Sequence, residues 1–182
     1  MVRWIPNIVT SLRAVAGVVV FVILVGLQAP NLAFVVFLVA ILTDLLDGWL
    51  ARVLNAKSAV GIWLDPLCDK LLVGFTWIGL LVAGLVPAWL ALTIVTRDAA
   101  VATGWFLANR SGYSFEPNRT GRLALSFEGT ALPVLLFRVP WLDVHWPSVG
   151  LVLATTGLVL SLVSALAYLW TGPAGSRVDP QT

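Results

Sequence analysis

Residues 44–69 read DLLDGWLARVLNAKSAVGIWLDPLCD, and they set four aspartates, Asp44, Asp47, Asp65 and Asp69, inside a chain that is otherwise overwhelmingly apolar. A carboxylate within hydrocarbon is costly enough to be kept for a function and neutralised by a partner. Asp44 and Asp47 are three residues apart and Asp65 and Asp69 four apart, so each pair falls on one face of a helix. Two helices that each present two acids make a cage for hard divalent cations, because carboxylate oxygens suit Mg²⁺ or Mn²⁺.

Composition fixes the setting of that cage. Of 182 residues, 59% are hydrophobic and only 11% charged, and the mean hydropathy is +0.96. So few charges cannot solvate a globular surface, and the reading is a polytopic all-α membrane protein whose long apolar segments satisfy their own backbone. A net charge of +2 is too small to argue for nucleic acid. Cys68 is the only cysteine, which excludes an intramolecular disulfide. No cleavable signal is expected, because five further apolar runs follow the first.

Six transmembrane helices are predicted, over about 8–27, 31–54, 61–85, 87–109, 123–139 and 148–170. The fifth is the weakest, being interrupted by Glu128, Gly129 and Pro133. Residues 1–172 read as one catalytic domain, with 173–182 as a short flexible tail. In this layout Arg3, Arg52, Lys57, Arg110, Arg119, Arg122 and Arg177 fall on one side, with Arg13 just inside the first span and Arg138 near the other side. The positive-inside rule then puts both termini in the cytoplasm. At 1.5 Å per residue, Asp47 and Asp44 lie about 8 and 12 Å from Arg52, and Asp65 and Asp69 about 6 and 12 Å from Gly61. All four acids share one layer of the cytoplasmic leaflet, within reach of a water-soluble group.

Three readings compete for these acids. Helix–helix salt bridges need bases, and only Arg52 and Lys70 are near in sequence. A cation or proton pathway spreads its acids through the membrane depth, whereas these lie in one layer. A metal site accommodates the excess negative charge directly. Gly48 beside Asp47, and Gly61 four residues before Asp65, serve either tight helix packing or the approach of a bulky ligand to the backbone. Arg52 suits a phosphate or serves as an interfacial anchor.

The stretch fits D-x2-D-G-x2-A-R-x8-G-x3-D-x3-D at Asp44, Asp47, Gly48, Ala51, Arg52, Gly61, Asp65 and Asp69. This resembles the signature of the CDP-alcohol phosphatidyltransferases, in the branch of phosphatidylglycerophosphate and cardiolipin synthases. The opening PNIVTSLR, residues 6–13, is similar to that family's PN-x2-T-x2-R segment. The resemblance implies a six-helix bundle with cytoplasmic termini, a homodimer, and a phospholipid-synthesising transferase in the cytoplasmic membrane, its site facing the cytoplasm. It implies attack of an alcohol on CDP-diacylglycerol with release of CMP, supported by two divalent ions, Mg²⁺ or Mn²⁺. Asp44, Asp47 and Asp65 are then metal ligands, and Asp69 is both ligand and general base. Asn7, Thr10, Gly48, Arg52, Ser58 and Gly61 contact the CDP-diacylglycerol.

Glycerol 3-phosphate is the first expectation for the acceptor, and LDPLCDKLLV around Asp65 and Asp69 looks most like the phosphatidylglycerophosphate and cardiolipin synthase branches. Arg97, Arg119 and Arg122 are the candidate acceptor contacts, with an internal Arg97–Asp98 salt bridge as the other reading of that pair. The phosphatidylglycerophosphate synthase branch usually opens its fifth helix with a GK-x-KT-like segment, whereas residues 121–125 read GRLAL and keep one base. Phosphatidylglycerol, giving cardiolipin, is the alternative acceptor. From another class, a small cation or proton transporter is the alternative function, opposed by a phosphate-suited arginine beside the acids. Glu128 either pairs with a base or contacts the acceptor. His145 reads as interfacial, Cys68 as packing, Trp4, Trp141, Trp146 and Trp170 as an aromatic belt, and Pro66 as a bend near Asp65.

Overall fold

The computed structural model describes the backbone of residues 5–53, 59–110 and 119–171, and side chains over 12–45, 68–104, 106–107 and 120–167. It is helical, with no β-strand among the described residues beyond one isolated bridge, between Trp141 and Val144. The elements are α1 (Ile5–Val22), a π-helical turn (Ile23–Leu27), α2 (Pro30–Val53), α3 (Ala59–Val82), α4 (Ala88–Arg110), α5 (Arg119–Leu136) and α6 (Trp146–Thr171). All six expected helices are present, within four residues of the expected ends.

Local chemistry sets those ends. Gln28, in the left-handed region at φ 49°, closes the π-helical turn by donating its N–H to the Ile23 carbonyl. Pro30 then opens α2, where its fixed φ suits a first turn and its missing N–H is not needed. Gly84 ends α3 at φ +67°, with Gly84 N–H on the Leu81 carbonyl (3.0 Å) and Leu85 N–H on the Leu80 carbonyl (2.9 Å). That pairing closes a helix on a left-handed residue, and glycine adopts it without a Cβ penalty. Pro133 sits within α5, and the helix runs on through it to Leu136.

The helices dock through glycines that let backbones approach. A Cβ on Gly17 would lie 2.9 Å from Leu72 Cα, and one on Gly79 would lie 2.9 Å from Leu24 Cδ1 and 3.3 Å from Phe21 Cα. Residue numbers rise together along both helices at these contacts, so α1 and α3 run parallel. On α5 and α6 the pairs are Leu135 with Gly150 and Glu128 with Gly157; the numbers run oppositely, so those helices are antiparallel. These two pairings are the most extensive in the fold. Between them lies a core of Leu24, Phe37, Trp77, Leu80, Leu90, Ile94, Leu132, Leu135 and Leu136, all buried.

Large apolar side chains also cover the outside, among them Val22, Leu42, Leu92, Val101, Val152, Val159 and Leu166. Trp146–Ala167 is long and apolar enough to cross a membrane, and Leu12–Leu27 and Pro30–Leu45 are shorter apolar helical stretches. Of the six expected spans, that length-and-apolarity test is met by one among the described residues. α3, α4 and α5 carry charges that interrupt their apolar runs, namely Asp65, Asp69 and Lys70, then Arg97 and Asp98, then Arg119, Arg122 and Glu128.

Gly17→Ala should force α1 from α3, because the new methyl meets backbone and not a movable side-chain tip. A loss of about 1–3 kcal/mol is expected, read as a lower melting temperature in detergent. Gly74→Ala, on the same α3 with open space around the site, should be neutral or stabilising by up to about 1 kcal/mol.

Candidate functional site

The parallel docking of α1 on α3 brings two motif segments to one level. Arg13 lies one helical turn before Gly17, and Asp69 lies three residues before Leu72, the residue that Gly17 touches. Arg13 Nη1 donates to Asp69 Oδ1, and Arg13 Nη2 donates to Asp44 Oδ1 on α2. The Arg13 side chain is only 6% exposed, whereas those of Asp44 and Asp69 are 41% and 53% exposed. A buried guanidinium therefore forms the floor, and two carboxylates from different helices form an open rim above it.

This corrects the inventory of bases. The sequence offers Arg52 and Lys70 as the neighbours of the acids, yet among the described residues the cation between Asp44 and Asp69 is Arg13, 31 and 56 positions away along the chain. The available signal was a charge inside the first apolar span, which needs a partner as surely as an aspartate does.

A second set of ion pairs continues from the first. Lys70, next to Asp69 on α3, has its Nζ 3.7 Å from Asp98 Oδ1 on α4. Arg97 donates to both oxygens of Glu128 on α5, at 2.6 and 2.5 Å, and to Asp98 Oδ1 at 2.5 Å. Glu128 is buried and lies against α6, where a Cβ on Gly157 would come within 2.6 Å of its Cγ. Gly157 thus leaves room for a carboxylate whose charge is answered by α4. Asp44, Arg13, Asp69, Lys70, Asp98, Arg97 and Glu128 form one charged band across α1 to α5, inside an otherwise apolar bundle. Of the two readings for Glu128, pairing with a base is the one realised.

Asp44 and Asp69 are thus together, and Arg97 is within the band. Arg122 is exposed in the first turn of α5. Asn7 and Thr10 on α1, Asp47, Gly48 and Arg52 on α2, Gly61 and Asp65 on α3, and Arg119 at the start of α5 have side chains outside the described residues, as does the whole of Ser58. Among the described residues, which do not include the side chains of Asp47 and Asp65, no group of three metal-binding side chains converges. The two carboxylates that are described fit a divalent ion in donor chemistry. Both are hard oxygen donors, they come from separate helices, and they already share one cation position.

The Arg97–Glu128 pair carries a direct test. Glu128→Ala should cost about 3 kcal/mol, because it leaves a largely buried guanidinium with Asp98 alone to answer its charge. The paired replacement Arg97→Met with Glu128→Leu should recover part of that loss, with Asp98 left to Lys70, so a double-mutant cycle of melting temperatures should show coupling.

Comparison with known proteins agrees with the motif. A family model described as CDP-alcohol phosphatidyltransferase matches residues 3–168. The CDP-diacylglycerol–glycerol-3-phosphate 3-phosphatidyltransferase of Bacillus subtilis is 33% identical over 135 residues, covering 74% of this chain and 69% of that protein. The CMP-forming cardiolipin synthase of Streptomyces coelicolor is 34% identical over 139 residues, 72% of this chain and 64% of that protein. The CMP-forming cardiolipin synthase of Rattus norvegicus is 42% identical over 104 residues, 56% of this chain and 34% of that protein. The chain thus spans about a third of the Rattus protein and about two thirds of each bacterial one.

Proposed function

The chain belongs to the CDP-alcohol phosphatidyltransferase family, and from that premise we propose that it transfers a phosphatidyl group from CDP-diacylglycerol to an alcohol, releasing CMP. The observation that carries this reading is the meeting of Asp44 and Asp69, from the two halves of the motif, at one cation position. Membership of a transferase family sets the cation or proton transporter aside.

In this reading Asp44, Asp47, Asp65 and Asp69 hold two divalent ions, Mg²⁺ or Mn²⁺. When bound, those ions neutralise the pyrophosphate and the charge that develops on the departing CMP. Asn7, Thr10, Gly48, Arg52, Ser58 and Gly61 hold the nucleotide end, where glycines admit the ligand to the backbone and Arg52 answers a phosphate. Asp69 takes the proton from the attacking hydroxyl. Its partial exposure leaves it open to an alcohol arriving from the aqueous side. The new bond joins the alcohol oxygen to the phosphorus bearing the diacylglycerol, and the bond to CMP breaks.

Glycerol 3-phosphate is the first-choice acceptor, with Arg97, Arg119 and Arg122 as its contacts. Phosphatidylglycerol, giving cardiolipin, is the second reading. One observation favours it, namely that Arg97 already has its charge answered by Glu128 and Asp98, which leaves less for a dianionic phosphate. Both acceptors present a primary hydroxyl on a glycerol unit that carries a phosphate, so one site chemistry serves either. The apolar exterior and the one-sided basic residues support six membrane-spanning helices with both termini and the site on the cytoplasmic side.

Purified protein with CDP-diacylglycerol and Mn²⁺ or Mg²⁺ should release CMP when glycerol 3-phosphate or phosphatidylglycerol is offered separately, and the productive acceptor names the product. Asp69→Asn should lower the rate by about 100-fold or more. An absence of CMP with every acceptor tried, serine and inositol phosphate included, would overturn the reading. For orientation, a cysteine at Gly175 should react with a membrane-impermeant maleimide only in inside-out vesicles, and one at the exposed Leu142 only in right-side-out vesicles.

A further inference from the structure

Arg13 closes the PNIVTSLR segment, and none of the roles assigned above uses it. The side chain is buried, it reaches two carboxylates on two other helices, and its Nε has no hydrogen-bond partner among the described residues. Both carboxylates are motif aspartates, and they are far more exposed than the guanidinium that holds them. Without a cation between them, Asp44 and Asp69 would repel across the α2–α3 gap, with Asp47 and Asp65 nearby in sequence adding to the charge. A buried, permanently charged group at that position keeps the rim assembled.

We propose that Arg13 is a positioning residue that acts as a resident counter-cation, holding Asp44 and Asp69 together before a divalent ion binds and yielding carboxylate oxygens to that ion when it does. The inference rests on the metal reading of the aspartates. Two cations compete for one pair of carboxylates, so each weakens the other's hold, and the coupling is reciprocal. Arg13 therefore lowers the affinity of the site for the divalent ion while stabilising the ion-free protein.

The test uses the full chain in detergent, with Mn²⁺ as the probe. Binding is read by electron paramagnetic resonance of free Mn²⁺, and stability by melting temperature with chelator and with saturating Mn²⁺. Arg13→Met keeps the buried stem and removes the charge; Arg13→Lys keeps the charge but lacks the fork that reaches two carboxylates. Arg13→Met should bind Mn²⁺ about tenfold more tightly than wild type. It should melt well below wild type in chelator and recover most of the difference in Mn²⁺. Arg13→Lys should fall between the two. Equal Mn²⁺ affinity in all three proteins, with the same loss of melting temperature whether or not Mn²⁺ is present, would mean that Arg13 only packs and would overturn the proposal. Weaker binding in Arg13→Met would overturn it as well. If wild type itself binds no Mn²⁺, the metal reading of the aspartates fails first, and the counter-cation role falls with it.

Discussion

A guanidinium on α1, buried beneath one carboxylate from α2 and another from α3, is the contact on which the rest of this architecture depends. It joins three helices at one level through charge, in a bundle whose core is apolar and packs without direction. Burying such a group is costly unless its charge is answered. The packing must therefore deliver two acids to it. Gly17 is what makes that delivery possible, since its missing side chain lets α1 lie close enough on α3 for Arg13 to reach Asp69.

The same logic recurs on the other side of the molecule. Glu128 is buried against α6 because Gly157 has no side chain, and it is tolerated there because Arg97 reaches it from α4. Lys70 beside Asp69, with Asp98 across from it, joins the two groups into one band. The ion pairs between helices gather in this band, while Trp77, Phe37 and the surrounding leucines form the apolar core. The arrangement gives a bundle with an apolar exterior one place in which ionic chemistry can be done.

The division of labour between the two groups is informative. The Arg97–Glu128 pair is enclosed, with both partners largely buried, and reads as a fixed strut. The Arg13 group has a buried cation and open acids, so its rim can exchange partners. Enclosure favours rigidity, and an open rim favours ligand exchange.

The sequence by itself determined the helices, their order and the motif. Apolar runs that must satisfy their own backbone favour helices, and Pro30 marks a boundary through backbone chemistry alone, whereas the end of α3 at Gly84 fell short of the expected 85. Its spacings of three and four residues also marked the acids as two pairs, each on one helical face; that Asp44 of one pair meets Asp69 of the other was decided by packing. What it could not determine was which cation answers them. Arg13 is distant along the chain from both Asp44 and Asp69, and the register that unites them comes from the close approach of two helix backbones at Gly17 and Leu72. Only tertiary packing decides such a register, because it depends on surface shape summed over two whole helices. The fate of Glu128 was decided in the same way, by a glycine on α6 and an arginine on α4 that nothing local to residue 128 specifies.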